Sequence, residues 1–564
     1  MSAFQIWDRS NNSEYIGDLY LAYCHEEKNG KGYPEFRSSN FEWLPPNGLK
    51  RGDVVLIYVD NNGNPEESYE VGQGVIVNMR SESIKISTEN VRLNYHDSYF
   101  IFSKPSSAAV DSILDGINRI GYTNSHLVNL LLDDAKPEQP YKYLPEELCI
   151  DGGYDLKYHN KGLNSSQREA VDFTINQKEL SVLHGPPGTG KTTTLVEIIF
   201  QHVQMGDKVL ALAPSNLAVD NLVEKLAKAG LRVVRVGHQA RVSAAAQQHT
   251  LETKLSSGIS STVAGYQDQI YKQTEYLKDC KPELVYGTRN RIKRLRASIK
   301  CAEENETEDI MRGADVVLCT LLSVNSEPFE KLSRNHFGLT VIDECSQGLE
   351  AACYPAVVMS KKLLLAGDHK QLPPTVLSTN APHLEQSLME RIVKKFGSQV
   401  TRVLSTQYRM NSKIMKWASD VMYNGELLAG ESVRDRLLVD LSDVHPNSYT
   451  KHALTMVDTS NCPGFEESFD KTNKGEAILV SAIVKKLLES NIKQQDIGII
   501  TPYNNQVRHI RKLVQVDYPD VEVQSVDGFQ GREKEVIILS LVRNNTKGRV
   551  LLFGFMVTLK HLCT

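Results

Sequence analysis

The segment GPPGTGKT, Gly185–Thr192, constrains this 564-residue chain more than any other. It follows the apolar run Ser181–Leu183 and precedes TTTLVEIIFQHV, whose apolar spacing is helical. Glycines at these positions let the backbone turn tightly, so that its N–H groups converge on phosphate oxygens. The helix that follows adds the positive end of its dipole. Lys191 is placed to reach the β and γ phosphates, and Thr192 to hold Mg²⁺. Gly185, Pro186, Pro187, Gly188, Thr189, Gly190, Lys191, Thr192 and Thr193 are therefore the candidate phosphate cradle.

A phosphate loop needs a second metal contact and a group that activates water. LTVIDECSQ supplies both: an apolar strand ends at Asp343, suited to the Mg²⁺ hydration shell, and Glu344 beside it can polarise the attacking water. Alone, a strand ending in two acids is an ordinary loop start. Downstream of a phosphate loop it acquires a role.

The rest of the chain reads as an ordinary globular protein. Acidic residues number 69 against 64 basic ones, for a net charge of −5, with 41% hydrophobic and 24% charged residues, which argues against global disorder and a collagen-like repeat. A net charge of this size does not decide nucleic-acid binding, because a local basic patch suffices. No run of about 18 apolar residues occurs, so no membrane span is expected, and the first residues show no secretory pattern. Nine cysteines without a C-x-x-C pair point away from a disulfide scaffold or zinc site and toward a reducing compartment.

At about 150 residues per domain, the length predicts three to four domains. Residues 1–105 contain short Val-, Ile- and Tyr-rich runs (GDLYLAYC, GDVVLIYVD, GQGVIVNM, SIKISTENV) and read as a small accessory β-barrel. Over 106–160 a stalk helix, helical from Ser106 to about Asp134, leads into a linker. From 161 to 376, short apolar runs alternate with amphipathic stretches: LSVLHG, KVLALAP, RVVRVG, DVVLCT, LTVIDE and KLLLAGD. That alternation predicts an α/β domain with a parallel sheet. A helical, charged insertion interrupts it at about 243–312, with Lys278, Lys281, Arg289, Arg291, Lys293, Arg294, Arg296 and Lys300 in one stretch. A second α/β domain is expected over 377–564, with HALTMVDT, DIGIITPY, VEVQSVDGF and KEVIILSLV as strands.

Further segments narrow the class of nucleotide-binding protein. They are LNSSQREAV with Gln167, LAGDHKQLPPT with Gln371, STQYRM with Tyr408 and Arg409, and SVDGFQGREKE with Glu533. With HGPPGTGKTTT, APSNLAVDNLVEKL and MKWASDVMY, they make the chain resemble a superfamily 1 helicase of the nonsense-mediated-decay-helicase group. Within that group it is most similar to the immunoglobulin-mu-binding protein type. The resemblance runs from about residue 15 to 545. It implies two RecA-like domains with ATP in the cleft between them.

By that resemblance, Gln167 reads the adenine edge and Tyr408 stacks on its ring. Gln371 senses the γ-phosphate, Arg409 reaches it from the second domain, and Glu533 contacts nucleotide from the same side. Lys191, Glu344, Gln371 and Arg409 form the catalytic set. Nucleic acid is expected on Pro214, Ser215, Asn216 and Thr320 in the first domain and on Thr501, Pro502, Tyr503 and Ser525 in the second. The basic insertion borders the channel. The activity implied is 5′→3′ translocation on single-stranded RNA or DNA and splitting of duplex junctions, driven by ATP with Mg²⁺. The resemblance further implies a monomer in the cytoplasm or nucleus, with ribosome-associated or RNA-processing partners.

The family pattern continues after GFQGREKE with a segment that supplies an arginine finger, whereas here the text reads LVRNNTKGRVLLFGFMVTLKHLCT. The second RecA-like domain is therefore expected to be altered or truncated at its C-terminus. An alternative function follows: an ATP-gated nucleic-acid clamp with little turnover. A P-loop kinase, a chaperone-type ATPase and a non-enzymatic interaction protein are the remaining readings. The first two leave QYRM and GFQGRE without a role.

Overall fold

In this computed structural model the described residues are 15–26, 31–39, 44, 49, 51–60, 69–80, 82–89, 93–103, 108–123, 125–141, 156–258, 260–279, 282–333, 336–376, 380–459, 462–529 and 532–543. Gln530, Gly531, Lys281 and the tail from 544 lie outside them. The strands in chain order are β1 (Tyr15–Glu26), β2 (Lys31–Ser38), β3 (Val54–Asp60), β4 (Tyr69–Met79), β5 (Ser83–Glu89), β6 (Ser98–Ser103), β7 (Leu180–His184), β8 (Val209–Ala213), β9 (Val233–Arg235), β10 (Val316–Thr320), β11 (Phe337–Ile342), β12 (Ser360–Gly367), β13 (Thr401–Val403), β14 (Thr406–Gln407), β15 (Leu428–Ala429), β16 (Ile497–Thr501), β17 (Glu522–Ser525) and β18 (Val536–Leu539). The chain divides into two units, one of residues 1–118 and 232–333, the other of 119–231 and 334–564.

In the first unit, β1–β6 close into an antiparallel barrel in the order β1-β2-β5-β4-β3-β6. Closure removes the exposed edges a six-stranded sheet would otherwise leave. Its interior is apolar: Ile16, Leu19, Phe36, Ile57, Ile76, Ile84, Ile86 and Ile101 are fully buried. The alternate face of β3 and β6 carries Leu56, Tyr58, Phe100 and Phe102, with the Tyr58 and Phe100 rings stacked 5.1 Å apart. Two barrel strands, β2 and β6, are absent from the runs read as β. Gly32 and Pro34 disguise β2, and SYFIFS is too short to show a period. The Arg241 guanidinium donates to the Gly52 carbonyl (2.7 Å) and ties the barrel to the segment after β9, which pairs parallel with β10. The helices Ser260–Asp279 and Pro282–Gly313 pack along each other. On the second of these, Arg289, Arg291, Lys293, Arg294, Arg296 and Lys300 are exposed.

The stalk is not one helix. It breaks after Ala108–Gly121, and Ser125 starts a new helix, His126–Leu132, by accepting from the Val128 N–H (3.2 Å).

The second unit contains a parallel sheet in which β13, β7, β12, β11 and β8 follow one another. β7 and β8 are buried along their whole length, as both-faces-covered parallel strands must be. β13 belongs to this sheet although residues from 377 onward read as the next domain. The helix Leu388–Phe396 returns the chain to the β7 edge. A further parallel sheet has the order β17-β16-β18 and packs through Ala477, Val480, Val484, Ile497, Ile499, Val507 and Ile510. HALTMVDT is not a strand. It finds no sheet edge among the described residues and leaves Leu454 and Met456 68% and 90% exposed. Among the described residues no helix is long and apolar enough to cross a membrane.

Candidate nucleotide site

Register brings the chemistry to one end of the parallel sheet. Gly367 of β12 stands opposite His184 of β7, and Ile342 of β11 opposite Leu365 of β12. The phosphate loop, Asp343–Glu344 and Asp368–Gln371 thus leave neighbouring strands together, at the carboxyl end where open α/β sheets bind ligands. The Gly185 N–H donates to the Gly367 carbonyl (3.0 Å).

The loop then turns through Gly188 (φ +72°) and Gly190 (φ +78°), left-handed positions that L side chains rarely adopt. A Cβ on Gly188 would stand 2.6 Å from the Arg409 Cβ, and one on Gly190 would stand 2.4 Å from Gln167 Nε2. Gly190 is also the N-cap of the helix Lys191–Gln204 and makes no side-chain cap, so the first N–H groups of that helix stay available to an anion.

Lys191 Nζ is 3.1 Å from Asp343 Oδ1 and also pairs with Glu344 Oε1. Burial alone would push its ammonium down, but the two carboxylates outweigh it and hold it raised. Glu344 moves up because burial penalises its charge, while Lys191 pulls the other way. The Glu344 backbone is itself left-handed (φ 51°), a strained conformation of the kind that persists at working sites. Gln347 Nε2 donates to its other oxygen (2.9 Å).

Gln371 Nε2 donates to Asp368 Oδ2 (2.8 Å). Asp368 is buried, which by itself would raise its pKa. The hydrogen bonds from His184 and Tyr423 outweigh burial and hold it lowered.

Residues beyond the sheet complete the cavity. Tyr408, just after β14, donates its N–H to the Gly188 carbonyl (2.8 Å), and its ring lies against Gly430, where a Cβ would come within 2.6 Å. Gln407 Oε1 accepts from the Arg409 and Met410 N–H groups (both 2.8 Å) and fixes the turn. Arg409 Nε donates to Glu533 Oε2 (2.8 Å). The cavity, about 500 Å³, is lined by residues 185–193, Asp343, Glu344, Gln371, Tyr408, Arg409, Arg532 and Glu533.

ATP and Mg²⁺ fit these residues. The cradle has no side chains at Gly188 and Gly190, an uncapped helix start and a lysine. The Thr192 hydroxyl and Asp343 carboxylate, both around the cavity, are the hard oxygen donors that Mg²⁺ takes.

Not every expected residue stands where the sequence suggests. Gln167 is buried away from the cavity lining. Its Nε2 donates to the Thr189 carbonyl (3.0 Å), and its Oε1 accepts from the Asn164 N–H (3.0 Å) in a capping box. It props the phosphate loop in this state, and Asn164 instead reaches the Tyr408 hydroxyl (2.9 Å). Ser215 lines the cavity while capping the helix Asn216–Lys228 (Ala218 N, 3.2 Å). Thr320 ends β10 in the first unit and bonds Ser323 Oγ (2.8 Å). Thr501 ends β16 fully buried, its hydroxyl without a hydrogen-bond partner among the described residues. Pro502 and Tyr503 lead into the helix Asn504–Val514, and Ser525 ends β17, accepting from the Gly528 N–H (3.3 Å). Pro214 and Asn216 flank Ser215 after β8.

Asn221, Lys225 and Gln347 line the cavity without having been singled out. The first two follow Leu217 at four-residue steps on one helix face, a period that was available in the sequence.

A phosphate loop, paired acids on the adjacent strand, and a tyrosine, an arginine and a glutamate beyond the sheet, all on one cavity, define a P-loop nucleotide-binding protein of the RecA-like kind. Models of a family described as AAA domain match residues 162–379 and 384–564, the second through the final residue. DNA polymerase alpha-associated DNA helicase A of Schizosaccharomyces pombe is 36% identical over 551 residues, covering 93% of this chain and 80% of that protein. DNA-binding protein SMUBP-2 of Mesocricetus auratus is 38% identical over 527 residues, 90% of this chain and 52% of that protein. The chain thus spans about half the length of the SMUBP-2 relatives it matches. Among solved structures, an Arterivirus nonstructural protein 10 (helicase) aligns with 96% of this chain and 76% of its own at 11% identity and a TM-score of 0.37, too distant to add to the argument. The chain belongs to the superfamily 1 helicases of the nonsense-mediated-decay-helicase-like group.

Proposed function

We propose that this chain is an ATP-dependent helicase that moves 5′→3′ along single-stranded RNA or DNA and opens the duplex ahead. One observation carries the reading: a single cavity collects Lys191, Glu344 and Gln371 from the first parallel sheet with Arg409 and Glu533 from outside it. A triphosphate there touches both sets of residues, so its γ-phosphate can hold them together and its loss can release them.

Lys191 exchanges its two carboxylate partners for phosphate oxygens. Glu344, freed from Lys191, orients the attacking water. Arg409 exchanges Glu533 for the γ-phosphate, and Tyr408 stacks on the base with its backbone fixed to the phosphate loop. Mg²⁺, held by Thr192 and Asp343, would neutralise charge developing on the phosphates.

Pro214, Ser215, Asn216, Thr320, Pro502, Tyr503 and Ser525 sit at or just after the ends of parallel strands, where N–H and hydroxyl groups can face a nucleic-acid backbone; Thr501, fully buried, does not. Phosphate contacts of that kind read no sequence. The exposed arginines and lysines of the helix Pro282–Gly313 add attraction for the same polyanion. The reading extends to a monomer at work in the cytoplasm or nucleus.

The test is ATP hydrolysis with and without single-stranded RNA or DNA, followed by unwinding of duplexes bearing a 5′ or a 3′ overhang. Stimulated hydrolysis and opening from the 5′ overhang are expected, and Lys191→Ala should abolish both. Hydrolysis indifferent to nucleic acid, or opening only from the 3′ overhang, would refute the reading.

A further inference from the structure

Asp368 is 1% exposed and receives four donors. His184 Nε2 (2.8 Å) and the Lys370 N–H (3.0 Å) reach Oδ1; Gln371 Nε2 (2.8 Å) and the Tyr423 hydroxyl (2.5 Å) reach Oδ2. An ionised carboxylate has about four acceptor sites, so every one is filled. His184, Asp368 and His369 lie close enough to suggest a metal site. With its acceptors satisfied by protein donors, Asp368 is instead a hydrogen-bond hub.

The hub joins three parts of the site. His184 is the residue before Gly185 of the phosphate loop. Gln371 is a cavity-lining donor able to turn to a γ-phosphate. Tyr423 is the C-cap of the helix Ser412–Met422, whose N-cap Asn411 follows Tyr408–Met410 directly. Lys370 Nζ also holds that helix end, by the Met422 carbonyl (2.5 Å). When Gln371 leaves Asp368, a buried carboxylate loses one of four donors and must draw harder on those that remain. Tyr423 is the remaining side-chain donor on that oxygen.

We infer that Tyr423, through Asp368, is a positioning residue for hydrolysis: it holds the carboxylate that Gln371 releases on turning to the γ-phosphate, and so ties the γ-phosphate to the helix that follows Tyr408 and Arg409. This rests on the helicase reading above.

Tyr423→Phe in the full chain removes one hydroxyl and keeps the ring. Its affinity for a fluorescent non-hydrolysable ATP analogue should stay within about twofold of wild type. Its strand-stimulated kcat should fall about tenfold with KM for ATP unchanged, and the analogue should no longer alter affinity for single-stranded DNA. Because both side chains act on Asp368 Oδ2, Gln371→Ala should add little to Tyr423→Phe. Ser419→Ala, which removes a buried hydrogen bond to the Leu427 carbonyl from the same helix, serves as the control and should preserve kcat and the analogue effect. Asp368→Asn is the second variant and should reproduce the kcat loss if Tyr423→Phe does not fold.

Wild-type kcat in Tyr423→Phe, additive losses with Gln371→Ala, or the same loss in Ser419→Ala would overturn the inference alone. A wild-type chain that neither binds the analogue nor hydrolyses ATP would overturn the helicase reading, and the inference with it.

Discussion

Lys362 is a buried base that the fold pays to keep. It sits on β12, 7% exposed, its Nζ donating to the Ile175 carbonyl (3.1 Å). Burial pushes its ammonium down to about 7 from 10.5, with Asp207 pulling the other way. In the unfolded chain the same group keeps its proton to about 10.5. Between those values the unfolded state binds the extra proton, so stability rises with pH by about 1.4 kcal/mol per pH unit. From pH 7.5 to 9.5 the gain is about 2.7 kcal/mol, or about 100-fold in the opening equilibrium.

Lys362→Met keeps the length and volume of the stem and carries no proton, so that gain disappears. The Met variant should match or exceed wild type at pH 7.5 and lose its relative standing by pH 9.5. Hydrogen exchange of β12 amides, with the two proteins compared at each pH, reads the difference without assuming that the whole chain unfolds in one step. A protection ratio that stays constant from pH 7.5 to 9.5 would refute the reasoning.

Glu344→Gln should keep analogue binding while kcat falls by about 10²–10⁴, the usual cost of losing a group that activates water; rapid-quench hydrolysis against fluorescence binding separates the two. His202 is buried, which lowers its pKa to about 4, with Asp207 opposing. Its contribution to stability is therefore complete above pH 6.5 and is lost as pH falls toward 4, by about 3 kcal/mol. His202→Gln should resist acid further in a near-ultraviolet circular dichroism titration. Gly430→Ala places a methyl 2.6 Å from the Tyr408 ring. It should displace that ring and weaken ATP binding about 2- to 10-fold, the worth of one aromatic stack, as measured by analogue titration.

The phosphate loop and the strand-end acids were legible because contiguous residues do their chemistry. Gly188, Gly190, Lys191 and Thr192 answer to one another within a single turn, and buried parallel strands such as β7 and β8 read as unbroken apolar runs. HALTMVDT misled because alternation describes a half-buried strand only if a sheet edge receives it. What stayed hidden lies at long range. Asn164 meets the Tyr408 hydroxyl across 244 residues, and Tyr423 meets Asp368 across 55. No local spacing encodes such pairs. Gln167 shows the complementary difficulty. Its place beside the phosphate loop was legible, but its amide is committed to Thr189 in this state.

The carboxylate partners of Lys191 bear on which visitors the cavity admits. With its ammonium already matched by Asp343 and Glu344, the floor offers a lone anion little net attraction. A divalent cation accompanying a polyphosphate would be held by Asp343 with Thr192 and would supply the positive charge those carboxylates lose with the lysine. Under the function proposed above, a lysine paired in this way would favour a triphosphate carrying its cation over inorganic phosphate.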